Sequence, residues 1–93
     1  SNIYIYMEKR LNDYRKKINK IDEQIFQLLE KRFDIVKEIG VYKQQHNLPI
    51  RTVRREQGII RNMIKKSNLN SDFIGQFYKL IFNNSYLIEK KRA

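Results

Sequence analysis

Ninety-three residues, 41% of them hydrophobic and none of them Trp or Cys, carry twenty Lys and Arg against ten Asp and Glu, a formal net charge of +10. A chain this short makes one domain, residues 1–93, with a marginal core if it stays monomeric. It has no disulfide framework or thiolate metal site, and no run of about eighteen apolar residues that would span a membrane. The positive excess attracts anions. The basic residues are spread along the whole chain with no turn-plus-recognition-helix pattern, so most read as solvated helix faces rather than as a nucleic-acid footprint. The single His, His46, has no ligand partner, so a metal site is not expected. The start lacks a signal-peptide pattern, and the expected location is the cytoplasm.

Residues 3–6, Ile3-Tyr4-Ile5-Tyr6, read as a frayed lead-in or a short extended arm. From about Met7 to about His46 the chain reads as one helix with no Pro and a single Gly, Gly40. Leu11, Tyr14, Ile18, Ile21, Ile25, Leu28, Leu29, Ile35, Val36, Ile39 and Tyr42 recur at spacings of three and four, the mark of an amphipathic helix. Forty helical residues span about 60 Å, whereas a small domain is about 30 Å across. One chain cannot cover such a stripe, which predicts a second copy against it.

Asn47-Leu48-Pro49 breaks the first helix, because Pro disfavours helix in the residue before it and cannot continue the ladder. Thr52 stands where it would cap a second helix, about 53–66, with Val53, Ile59, Ile60, Met63 and Ile64 as its apolar members. Gly58 inside it costs about 1 kcal/mol relative to Ala, so that helix depends on packing. Ser67-Asn68 marks the next turn. Leu69 and Asn70 resemble a staple residue and an N-cap, with Ile74 at the matching staple position. A third helix, about 71–91, carries Phe73, Ile74, Phe77, Tyr78, Ile81, Phe82 and Leu87. The fold class is all-α, three helices per chain, one of them very long.

Three cations on the long helix, each of which taken alone reads first as a solvated side chain of a basic helix, also have spacings that would suit a shared ligand. Arg32 and Lys43, eleven residues apart, fall within about 20° of one face and roughly 16 Å along the axis. Long side chains leaning together from those positions can grip the two ends of a small dianion. Arg15 is seventeen residues before Arg32, roughly 25 Å away and about 100° round the helix. It cannot reach a ligand held by its own Arg32 and Lys43, but it can reach one held by an antiparallel partner in a symmetric dimer.

The ordered text around these residues resembles the all-α, AroQ-type chorismate mutase family. It begins at Tyr14-Arg15-Lys16-Lys17-Ile18, continues through Asp22-Glu23, Leu28-Leu29-Glu30-Lys31-Arg32 and Glu38-Ile39-Gly40-Val41-Tyr42-Lys43, and reaches Pro49-Ile50-Arg51-Thr52-Val53-Arg54-Arg55-Glu56. It closes on Ile81-Phe82-Asn83-Asn84-Ser85 with Glu89. The resemblance implies an intertwined helical homodimer whose long helices pair antiparallel. It also implies the rearrangement of chorismate to prephenate, a unimolecular pericyclic step that uses no cofactor, no metal and no covalent intermediate. An enzyme for that step holds a flexible dicarboxylate in a compact conformer and stabilises charge on the breaking ether.

Carried across by the resemblance, Arg32 binds a carboxylate within the subunit and Arg15 one in the partner's site. Lys43 donates to the ether oxygen, Glu56 accepts from the ring hydroxyl with Arg55 as a further positive group, and Ser85 bonds the ring carboxylate. Two positions depart from the family pattern. Thr52 stands where well-known members have Asp, which weakens the expected grip on the ring hydroxyl. Glu89 stands where many members have Gln near the ether oxygen. An ionised carboxylate there opposes catalysis, and burial that keeps it protonated would turn it into a donor. The same fold also hosts an isochorismate pyruvate lyase; retention of Glu56 leans towards the mutase. A non-catalytic metabolite binder and a basic helical nucleic-acid binder are the remaining alternatives.

Overall fold

No helix breaker stands between Asn2 and Gln45, and once a helix is nucleated each further residue adds a hydrogen bond. A computed structural model describes residues 2–92, and its elements are α1 (Asn2–Gln45), α2 (Val53–Lys66) and α3 (Ser71–Arg92), with no strand among the described residues. The lead-in expected at residues 3–6 is therefore a correction: Ile3, Tyr4, Ile5 and Tyr6 are the first turns of α1. The other helix ends fall within one residue of the sequence reading.

α1 stops on a defined device. Asn47 takes a left-handed conformation, φ 54°, which Asn tolerates better than most residues. The Leu48 N–H donates back to the Lys43 carbonyl at 2.9 Å and the Asn47 N–H to the Gln44 carbonyl at 3.3 Å. That pair of bonds is the Schellman termination, and Pro49 follows where no helix could continue. Thr52 does occupy the N-cap of α2, in extended conformation, yet its hydroxyl makes no cap bond. The cap expected of it is thus positional only. Glu56 in the first turn and Lys65 and Lys66 in the last both suit the helix dipole. At the start of α3, Asn70 caps as expected, its Oδ1 accepting the Phe73 N–H at 3.1 Å. The staple does not close around it: Leu69 remains 63% exposed, and its N–H is held instead by the Ser67 hydroxyl at 3.0 Å.

The chain groups into two compact units, residues 1–32 and residues 33–93. In the first, the apolar stripe of α1 is uncovered: Leu11, Tyr14, Ile18, Ile21, Ile25 and Leu28 are all exposed. In the second, α2 packs on α3. The buried apolar residues there are Val36 from the end of α1 and Ile74, Ile81 and Phe82 from α3. Ile59, Ile60 and Met63 of α2 are half-buried, and Phe73, Phe77, Tyr78 and Phe82 form a ladder of ring contacts along α3. Two polar residues, Ser85 and Glu89, continue the buried stripe of α3 at spacings of four.

Candidate functional site

A buried helix face that turns from Ile81 and Phe82 to Ser85 and Glu89 demands compensation, since a buried polar group without a partner costs about 1–3 kcal/mol, more if charged. Glu89 is only 7% exposed. Its Oε1 meets the Lys43 ammonium at 2.8 Å, across from the last turn of α1. Lys43 also donates to the Ile50 carbonyl in the loop between α1 and α2. Ser85 is buried one turn before Glu89, and its hydroxyl donates to the Ile81 carbonyl at 2.8 Å. Val36, Gly40 and Lys43 share one face of α1, so the ammonium stands at the end of a buried stripe of that helix too.

Lys43, Ser85 and Glu89, singled out from sequence, are therefore the residues that come together at this place. Glu89 is buried, and the neighbour of its carboxylate is the Lys43 ammonium rather than an apolar wall. Lysine has three N–H donors, and Glu89 and Ile50 take two of them. The third is left for a ligand acceptor.

The start of α2 forms a second cluster. Thr52 and Arg55 are exposed, and Glu56 is half-buried. Arg55 was expected beside Glu56; the group that pairs with it is Arg51, whose Nε stands 2.9 Å from Glu56 Oε2. Arg51 was not singled out from sequence as a site residue. It precedes the helix, where the three- and four-residue spacings that reveal helical neighbours give no signal.

Arg15 and Arg32 belong to the first unit. Arg15 is exposed and donates to Asn12 Oδ1 at 3.3 Å, one turn before it; Arg32 is half-buried. Among the described residues no group of three or more His, Asp or Glu could hold a metal ion, and no helix is long and apolar enough to cross a membrane.

Chemically the second unit offers an ammonium with a spare donor, a buried carboxylate beside it, a buried hydroxyl, and a guanidinium-paired carboxylate at a helix start. Such groups can bind a small polar anion through its oxygens. They include no thiol or imidazole nucleophile.

Comparison with known proteins agrees with this chemistry. A family profile described as chorismate mutase type II matches residues 14–90. The chain is 40% identical over 84 residues to a bifunctional chorismate mutase/prephenate dehydratase of Buchnera aphidicola subsp. Schizaphis graminum, covering 87% of this chain and 22% of the relative. A bifunctional protein of the same description from Escherichia coli K12 is 29% identical, with 89% and 22% covered. A chorismate mutase of Methanocaldococcus jannaschii is 27% identical over 88 residues, 91% of this chain and 89% of that protein. The chain thus spans about a fifth of the bifunctional relatives and most of the length of the last.

Proposed function

The chain belongs to the chorismate mutase type II family, and from that membership we propose that it rearranges chorismate to prephenate, a step towards phenylalanine and tyrosine. The observation that carries the proposal is the buried Lys43–Glu89 pair with one ammonium donor unspent. The reaction breaks an ether C–O bond and forms a C–C bond within one molecule. No proton need leave the substrate, and no group is transferred to the protein. The protein holds the compact conformer and meets the charge growing on the ether oxygen, and positioning and electrostatics are the terms that supply most of such a rate.

In this reading the third Lys43 donor reaches the ether oxygen and an adjacent carboxylate oxygen. Glu89, 2.8 Å from that ammonium, stands beside the same oxygen and fixes where the ammonium points. Ser85 turns its hydroxyl from Ile81 to the ring carboxylate. Thr52 and Glu56 receive the ring hydroxyl, and Arg55 adds positive charge at the entrance. Arg32 grips a carboxylate from within the subunit.

The homodimer belongs to the same proposal. The apolar stripe of α1 is exposed from Leu11 to Leu28 in the single chain, and a second copy laid antiparallel on it would bury that stripe and bring its own Arg15 to the site. The chain then acts as one domain within each subunit, in the cytoplasm, with chorismate as its small-molecule partner and with neither cofactor nor nucleic acid.

Loss of chorismate absorbance with purified protein tests the activity, and Arg32→Ala is expected to slow it by at least about a hundredfold, the scale of a lost charged contact. Pyruvate released from isochorismate, with chorismate untouched, would instead make the chain a lyase; retention of Glu56 favours the mutase.

A further inference from the structure

Arg51 lies in the loop before α2, five residues ahead of Glu56. Its Nε donates to Glu56 Oε2 at 2.9 Å, and a terminal nitrogen donates to Oε1 at 3.1 Å. Its other terminal nitrogen donates to Asn83 Oδ1 at 3.4 Å, and its guanidinium carbon stands 5.9 Å from the centre of the Tyr86 ring. One planar fork is thus held by a carboxylate on α2 and by an amide and a ring on α3. The Glu56 side chain is 19% exposed, so this pair is partly withdrawn from water.

The arrangement answers two problems that a carboxylate acceptor faces near a dianion. A Glu side chain has three rotatable bonds, and a bidentate guanidinium fixes both its position and the plane of its oxygens. An unpaired carboxylate would also repel the substrate, and the repulsion grows as water is displaced. A carboxylate has about four lone-pair positions, of which the fork uses two. Those left can still accept a hydroxyl proton.

We propose that Arg51 is a positioning residue for Glu56: it orients the carboxylate that receives the substrate's ring hydroxyl and cancels the charge that would otherwise drive the dianion away. Asn83 and Tyr86 hold the guanidinium and so tie that carboxylate to the helix that carries Ser85 and Glu89. The inference rests on the mutase reading, because the ring hydroxyl is what Glu56 is held for.

Steady-state kinetics on chorismate with Arg51→Gln, Arg51→Lys, Glu56→Gln and the double variant Arg51→Gln/Glu56→Gln test it. Arg51→Gln is expected to raise KM on the order of tenfold with little change in kcat, the signature of binding lost equally in ground and transition states. Added salt should shrink that defect by screening Glu56 from the substrate. The double variant strands no charge, and its KM should match that of Glu56→Gln alone, since Arg51→Gln adds nothing once the carboxylate it positions is gone. Arg51→Lys keeps the charge without the fork and should fall between wild type and Gln; it also serves if the Gln variant does not fold.

An Arg51→Gln variant with wild-type KM overturns the proposal. So does a double variant whose KM exceeds that of Glu56→Gln alone, which would make Arg51 a purely structural tie between helices. A Lys variant with wild-type KM overturns the positioning, since a point charge would then suffice. A wild-type chain that consumes no chorismate overturns the mutase reading and this inference with it, whereas an active wild type with any of the three results above overturns this inference only.

Discussion

Lys43 has its last unspent donor beside a carboxylate that is 7% exposed, and the two side chains must share whatever ligand arrives. If the Lys43 ammonium serves the ether oxygen, Lys43→Ala is expected to lower kcat/KM by at least about a hundredfold, the scale of a lost charged contact. Glu89→Gln keeps an acceptor for that ammonium, whereas Glu89→Ala strands it, so the Gln variant should retain far more activity than the Ala variant. Steady-state kinetics of the three variants check this, and a Glu89→Ala enzyme as active as Glu89→Gln sinks it. Lys43 was legible from its spacing to Arg32 on one helix, and Glu89 only through the family resemblance. Their contact with each other was not, since helical spacing carries no information about which α3 residue the end of α1 meets. Arg51 shows the same limit more sharply: its partner is chosen by the path of a loop.

The helices themselves were legible where local chemistry marks them. Pro49 after Asn47, and Asn70 before Phe73, are stop and start signals that depend on nearest neighbours only. Residues 2–6 carried no such signal, and the helix runs through them because nothing stops it. The hydroxyl of Thr52 was over-read, since an N-cap position does not compel the cap bond. Two changes probe this scale. Asn47→Gly should leave stability nearly unchanged, whereas Asn47→Ala keeps the Cβ in a left-handed conformation without the polar side chain that makes it tolerable, and is expected to cost about 1 kcal/mol. Gly58 has ordinary helical φ and nothing within 4 Å of where a Cβ would stand. Gly58→Ala is therefore expected to stabilise by about 0.5–1 kcal/mol, and urea unfolding would read both effects as shifts of midpoint at constant slope.

For the molecule as a whole, the exposed stripe of α1 and the displacement of Arg15 round that helix make a joint demand. If the site is shared between antiparallel copies, Arg15→Ala and Arg32→Ala each cripple every site in their own homodimer. Mixed and refolded one to one, they place both lesions in one site of each heterodimer and leave the other intact. Half the dimers are then mixed with half their sites active, so about a quarter of wild-type activity should return. Mixtures no more active than their parents would show that Arg15 does not serve the partner. The length of α1 was plain from sequence, and its stripe from Leu11 to Leu28 is exposed in the single chain.

The termination of α1 also decides where this chain can drift. Connecting segments are ordinarily the parts of a protein that accept insertions and altered composition most freely. Here residues 46–52 hold the carbonyl that steadies Lys43, the left-handed Asn47, the guanidinium that grips Glu56 and the N-cap of α2. One added residue between Asn47 and Thr52 would shift all of these against one another, while the polar face of α1 could change residue by residue with little effect. Variation among descendants of this sequence should therefore run opposite to custom, with the connector frozen and the longest helix free to wander on its solvent side.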